Sequence, residues 1–182
     1  MARLTLITGG CRSGKSREAM KRALSLGGPR WFVATARPGD PEFDQRIDRH
    51  RTERAHLGFA GTREAPVDLE HAVATLPKPE TTVIDCMTLW MSNLLLAHPG
   101  FDEHQAEQRA RALVGVCCGL PGNVLVVTNE VGSGVVPEWE IGRAFRDCLG
   151  RTNQILAEQA DTAILVVCGL PIVLKQSGSN EE

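Results

Sequence analysis

The amino-acid sequence predicts an α/β domain, a mostly parallel sheet with helices on both faces. Three observations carry that expectation. Five short runs are almost continuously apolar, as strands covered on both sides must be: Leu4 to Thr8, Trp31 to Ala34, Thr81 to Asp85, Val124 to Thr128 and Ala163 to Val167. Segments with helical spacing lie between them, and strand–helix alternation favours parallel strands joined by right-handed crossovers. Polar residues gather where the runs end, which in such sheets is where ligands sit.

The first run leads into Gly9-Gly10-Cys11-Arg12-Ser13-Gly14-Lys15-Ser16, and a helix-prone stretch from Arg17 to Ala23 follows. This G-x-x-x-x-G-K-[ST] pattern is a P-loop. Its backbone N–H groups turn inward on a phosphate, and the helix starting near Lys15 adds the positive end of its dipole. Lys15 is placed to reach the outer phosphates and Ser16 to hold Mg²⁺. A chance glycine-rich turn would not put strand, loop and helix in this order, so the loop implies a nucleoside triphosphate.

The later strand ends are read in the same way. Thr35-Ala36-Arg37 follows the second run. Asp85 closes the third, in the position of the second acidic residue of P-loop enzymes, which helps to hold Mg²⁺. Its alternative is an N-cap for a helix starting at Met87. Thr128-Asn129-Glu130-Val131-Gly132 closes the fourth, and Pro137 then enters a helix. Glu130 could position a substrate hydroxyl or bind magnesium; a turn with a capping carboxylate is the competing reading.

Four further helices are expected. The first spans Glu42 to Ala55, and on it Arg46, His50 and Arg54 recur every four residues along one face. Flanking cations favour neutral imidazole, which is a nucleophile, and arginines clamp phosphate. Spacing alone favours the plainer reading, a solvated face with pairs such as Glu42–Arg46 and a histidine with no role. Met87 to Ala97 is the second. Phe101 to Gly119 carries Ala106, Ala110, Leu113 and Val116 at helical spacing. Glu138 to Gln159 carries Ile141, Ala144, Phe145, Cys148, Leu149, Ile155 and Leu156 on one face.

A chain of 182 residues fits one domain, residues 1–176, followed by a disordered polar tail, residues 177–182. A net charge of −2 without a basic stripe argues against nucleic acid as a partner. The start of the chain enters an apolar strand directly and does not read as a signal peptide. The longest apolar stretch, Ala163 to Leu174, is broken by Gly169 and Pro171 and is too short for a membrane span. The six cysteines, Cys11, Cys86, Cys117, Cys118, Cys148 and Cys168, form no C-x-x-C pair. They read as buried small apolar residues in a reducing cytoplasm, not as metal ligands. Trp90 and Trp139 are expected in the core.

Four blocks resemble the bifunctional adenosylcobinamide kinase / adenosylcobinamide-phosphate guanylyltransferases of cobalamin biosynthesis. They are Thr8 to Ser16; Ala34-Thr35 with Arg46-Ile47-Asp48-Arg49-His50-Arg51; Thr128 to Glu138; and Phe145 to Gln154. The likeness runs from Leu4 to Lys175, and its most specific part is the T-N-E-V-G-x-G-x-V-P-E block. It implies a RecA-like P-loop fold, a homotrimer and a two-step enzyme. ATP or GTP would phosphorylate the aminopropanol hydroxyl of adenosylcobinamide. GTP would then transfer GMP to that phosphate through a GMP–histidine intermediate on His50. By position, the resemblance puts guanine-nucleotide contacts on Gly9, Gly10, Cys11, Arg12, Ser13, Gly14, Lys15 and Ser16, on Ala34, Thr35 and Ala36, on Arg51, Thr52, Glu53 and Arg54, and on Glu64 and Asp85. Three departures stand out: Cys11 replaces a usual alanine, Asp85 a common glutamate, and no tryptophan precedes Thr62-Arg63-Glu64. The residues alone leave two competitors, a single-step P-loop small-molecule kinase and a RecA-like NTPase switch module.

Overall fold

The computed structural model describes residues 2–37, 39, 52 and 56–177. In chain order they form β1 (Arg3–Thr8), α1 (Lys15–Ser25), β2 (Arg30–Ala34), β3 (Gly61–Glu64), α2 (Leu69–Ala74), β4 (Thr81–Asp85), α3 (Met87–Ala97), α4 (Glu103–Gly119), β5 (Asn123–Val127), α5 (Glu140–Gln159), β6 (Thr162–Val167) and β7 (Leu170–Gln176). The expected helix over residues 42–55 lies outside the described residues, apart from Thr52.

The seven strands make one sheet in the order β3-β2-β4-β5-β1-β6-β7. Neighbours pair in parallel, except β6 and β7, which are antiparallel. β5 is inserted between β1, which feeds the P-loop, and β4, which ends in Asp85. One strand interposed there is the RecA-like arrangement of a P-loop sheet.

Side chains alternate across the pleat into two cores. Leu4, Leu6, Val33, Ile84, Val124 and Val126 face α2 to α5. Ile7, Phe32, Val83, Leu125, Val127, Ile164 and Val166 face α1 through Ala19 and Ala23. The central strands β4, β5 and β1 therefore bury apolar side chains on both faces. Each such Val, Leu or Ile contributes about 1.5–3 kcal/mol. Among the described residues no helix is long and apolar enough to cross a membrane.

α3 matches its expected span. α4 starts two residues later than expected because Asp102 caps it. Asp102 Oδ1 accepts the Gln105 N–H at 2.9 Å, and Gln105 Oε1 accepts the Asp102 N–H at 3.0 Å, a capping box. Trp90 is fully buried, as expected. Its indole N–H donates to Val67 O at 2.9 Å, and the Arg109 guanidinium lies 5.6 Å from the ring centroid.

Two expectations for α5 need correction. Trp139 is 75% exposed and Ile141 53% exposed, although both were expected among core residues. The core residues of this helix begin near Phe145, and full burial begins at Cys148 and Leu149. Its first turn thus stays outside the packed layer.

Two strands were not anticipated. β3 is a short edge strand with little apolar content, recognisable only through its register with β2. β7 arises because Ala163 to Leu174 folds back on itself. Cys168 (φ 51°) and Gly169 (φ 82°) form the turn between paired Val167 and Leu170, and two successive positive φ values suit a tight hairpin. Pro171 is tolerated because β7 is an edge strand. Ser177 is tied down by its N–H, which donates to Asp161 O at 2.6 Å; the rest of the expected tail lies outside the described residues.

Candidate nucleotide-binding site

The P-loop joins β1 to α1 as a tight cradle. Gly14 (φ 99°) is the N-cap of α1, in a conformation that suits glycine. A Cβ on Gly9 would lie 2.4 Å from Val166 O and 2.7 Å from Ser13 Oγ, so no larger residue fits there. Gly169 in the β6–β7 turn donates its N–H to Ser13 O at 2.8 Å. On the other side Glu130 donates its N–H to Gly9 O at 3.2 Å. Lys15 is buried, and its Nζ donates to Gly10 O at 2.9 Å across the loop. Cys11 and Arg12 are exposed at the tip.

Among the described residues, two buried hydroxyls at this cradle, Thr8 Oγ1 and Ser13 Oγ, have no hydrogen-bond partner. Leaving such a group unpaired costs about 1–3 kcal/mol. Acceptor oxygens of a bound phosphate are a chemically suitable complement. The N–H groups of the loop, the start of α1 and buried Lys15 together suit an anion.

The strand register extends the site sideways. Glu64 and Asp85 both pair with Ala34, Asp85 with Val127, and Val127 with Ile7. These residues form one row along the C-terminal edge of the sheet. At a strand spacing of about 4.8 Å, Asp85 lies about 10 Å and Glu64 about 19 Å from the P-loop strand. The row is a ledge running outward from the phosphate cradle.

Asp85 is not the cap of α3. That position belongs to Cys86, with no side-chain cap bond. Burial, helped by the negative charge of Asp85, pushes the Cys86 thiol up to about 11, while Lys15 opposes the shift. Asp85 at the end of β4 and Lys15 at the start of α1 therefore act on the same thiol, which puts them in one electrostatic neighbourhood. Ser16 in the first turn of α1 and Asp85 are a fitting pair for Mg²⁺, which takes one or two protein oxygens and fills its shell with phosphate oxygens and water. Among the described residues no cluster of three or more His, Cys, Asp or Glu forms a metal site.

Thr35, one of the expected nucleotide contacts, has its side chain engaged within the protein. It is fully buried, and its hydroxyl accepts the Cys86 N–H at 2.8 Å and donates to Cys86 O at 2.7 Å. Its own N–H donates to Asp85 O at 3.2 Å. The side chain faces inward and holds the turn after Asp85. Ala34 and Ala36 flank it, both half-buried. Of the expected contacts beyond β2, Thr52 is exposed; His50, Arg51, Glu53 and Arg54, with Arg46, lie outside the described residues.

Several supporting residues had no assigned role in the sequence. Asn93 is buried in α3 and donates to Thr35 O at 2.8 Å and Pro66 O at 3.0 Å. Its signal was a carboxamide inside an apolar helix. Asn153 in α5 accepts from Thr128 Oγ1 at 2.7 Å and donates to Asn129 O at 2.9 Å. Thr88 Oγ1 accepts the Asn129 N–H at 3.0 Å. The loop after β5 is thus clamped by α3, α5 and the P-loop. Within it, Glu130 is exposed, and its Oε1 accepts the Gly132 N–H at 2.6 Å, so the turn-carboxylate reading holds for that oxygen.

The cysteines split into two groups. Cys117 and Cys148 are buried, and burial is the main cause that pushes them up to about 12 and about 11. Cys86 and Cys118 are half-buried. Cys11 and Cys168 are exposed, contrary to expectation, because each sits in a loop at the rim of the phosphate cradle.

Comparison with known proteins agrees with this geometry. A model of the cobinamide kinase / cobinamide phosphate guanyltransferase family matches residues 5–174. The chain is 39% identical to the bifunctional adenosylcobalamin biosynthesis protein CobP of Pseudomonas aeruginosa, over 93% of this chain and 96% of the relative. It is 35% identical to the bifunctional adenosylcobalamin biosynthesis protein CobU of Escherichia coli, over 94% of this chain and 99% of the relative. The Salmonella typhimurium protein of the same name is 38% identical over the same shares. With a P-loop cradle, an interposed strand and an acidic residue on the strand beyond it, the chain belongs to the cobinamide kinase / cobinamide phosphate guanyltransferase family of transferases.

Proposed function

We propose that this chain phosphorylates adenosylcobinamide with ATP or GTP and then converts the product to adenosylcobinamide-GDP with GTP. Family membership over nearly the whole chain carries the reading, and the convergence of Lys15 and Asp85 beside the P-loop supports it. One triphosphate cradle serves both steps, attacked at the γ-phosphorus in the first and at the α-phosphorus in the second. His50 is the nucleophile of the second step: its imidazole takes GMP as a phosphoramidate, and the corrinoid phosphate then takes GMP from it. Lys15 neutralises charge on the departing phosphates, and Arg51 and Arg54 are cationic partners near the nucleophile. Ser16 and Asp85 would hold Mg²⁺, which would supply further charge neutralisation at the phosphates. Glu64, Ala34 and Ala36 on the ledge are the contacts for the nucleoside end.

The same reading makes residues 1–176 one catalytic domain, active as a homotrimer in the cytoplasm. Exposed apolar residues support association: Val135, Val136 and Trp139 before α5, and Leu170, Ile172 and Leu174 on β7. Six free thiols suit a reducing compartment.

GTP labelled at either the α- or the γ-phosphate tests the reaction. After denaturation, α-label should stay on the protein, survive alkali and be lost in acid. His50→Ala should abolish it while leaving phosphorylation of adenosylcobinamide in place. Absence of α-label on the native protein refutes the two-step reading.

A further inference from the structure

We propose that the Glu130 carboxylate is the general base of the phosphorylation step and takes no part in nucleotidyl transfer. The inference rests on the two-step reading above and assigns a residue to its first half.

Position is the first argument. β5 lies between the P-loop strand and the strand ending in Asp85, so the loop after β5 opens between the triphosphate cradle and the proposed magnesium ligand. Glu130 is bonded directly to that cradle through Gly9 O. Among the described residues, the C-terminal ends of β4, β5, β1 and β6 carry two carboxylates, Asp85 and Glu130. Asp85 is accounted for by the metal; Glu130 is left facing solvent, where a large acceptor arrives.

Rigidity is the second. The backbone around Glu130 is held at Thr128 and Asn129 by Asn153, at Asn129 by Thr88, and at Glu130 itself by Gly9. The side chain is oriented too, since Oε1 accepts the Gly132 N–H at 2.6 Å. That bond leaves Oε2 as the oxygen available to a ligand. An exposed glutamate on a plain surface loop needs no such clamp, whereas a proton acceptor must be placed within hydrogen-bond reach of its donor.

Chemistry is the third. In the first step the acceptor is an alcohol. Its oxygen forms the new bond to the γ-phosphorus, and the bond from that phosphorus to the β,γ-bridging oxygen breaks, the electron pair leaving on the nucleoside diphosphate. The hydroxyl proton passes to Glu130 Oε2 and then to water. In the second step the acceptor is a phosphate already ionised at neutral pH, with no proton to remove. A base over the cradle therefore serves one reaction and is idle in the other.

The test compares Glu130→Gln and Glu130→Asp with the parent protein in two separate assays at saturating Mg²⁺. The first follows phosphorylation of adenosylcobinamide; the second supplies adenosylcobinamide phosphate and α-labelled GTP. Glutamine keeps an oxygen for the Gly132 N–H, so the turn persists and only proton acceptance is lost. The expected result is a fall of about 10²–10⁴-fold in kcat for phosphorylation, with guanylyl transfer within about threefold of the parent and partial recovery of phosphorylation in Glu130→Asp. Equal loss in both assays would reduce Glu130 to a structural element and overturn the proposal. So would an unchanged phosphorylation rate, or a loss repaired by more Mg²⁺, which would mark a metal ligand. A parent protein inactive in both assays would instead refute the two-step reading itself, and the proposal with it.

Discussion

Asn153→Ala probes the clamp on the β5 loop. The carboxamide has one possible orientation: its N–H must donate to Asn129 O at 2.9 Å, which turns its oxygen toward Thr128 Oγ1 at 2.7 Å. Truncation removes both bonds. Asn129 is half-buried, so water can replace the donor at its carbonyl, and the loss there is about 0.5–1.5 kcal/mol. Thr128 is fully buried, and its hydroxyl is left without a partner, at a cost of about 1–3 kcal/mol. The sum is about 1.5–4.5 kcal/mol, read as a lower urea midpoint with an unchanged m-value. A double-mutant cycle isolates the part due to Thr128. In a Thr128→Val background no hydroxyl remains to be orphaned, so Asn153→Ala should cost at least about 1 kcal/mol less than in the parent. Additivity within about 0.5 kcal/mol would show that the hydroxyl does not depend on Asn153 and would refute the reasoning.

Three further outcomes follow from the same contacts. Gly9→Ala drives a methyl against Val166 O; it should lower stability by about 1–3 kcal/mol and weaken GTP binding by titration calorimetry, and unchanged affinity would refute the close-packed loop. Brief alkylation of the native protein should modify Cys11 and Cys168 and spare Cys117 and Cys148, whose thiols are buried and hard to ionise; GTP should protect Cys11, as peptide mapping would report. Hydrogen bonds from Arg111 and then Arg151 hold the Glu107 carboxyl below its usual 4.5. Its stabilising contribution is therefore present above pH 4.5 and lost as pH falls through the lowered value. Glu107→Gln should be less stable than the parent at pH 7 and indistinguishable from it in strong acid, by thermal melts across that range.

The sheet's interior was legible because burial on both faces leaves a compositional trace. Thr81 to Asp85 and Met87 to Ala97 match their elements, since a continuous apolar run and an apolar helix each have one way to bury themselves. The edges were not legible. Gly61 to Glu64 is a strand only because Trp31 to Ala34 offers it a ladder, and that partner is remote in sequence. The hairpin at Cys168-Gly169 was hidden because cysteine is not a residue that announces a positive φ. At the site, the P-loop is written in consecutive residues, so the turn from β1 into α1 at Lys15 could be read directly. Thr35 could not: a strand-end hydroxyl looks the same whether it faces a ligand or, as here, the Cys86 backbone. Asn93 and Asn153 act by bonding to backbone groups supplied by distant segments, and composition carries no record of such partners.

The bond from Gly169 to Ser13 has a consequence for the order in which the protein becomes competent during synthesis. The residues of the P-loop leave the ribosome long before the turn that braces them. β1 itself is flanked by β5 and β6, both made late. A growing chain carries the motif long before it carries a cradle, and contacts of such long sequence separation close slowly. Nascent chains stalled before β6 should pass through immobilised GTP unretained, and chains released after β7 should be held. Triphosphate binding is then withheld from incomplete protein by the topology of the sheet.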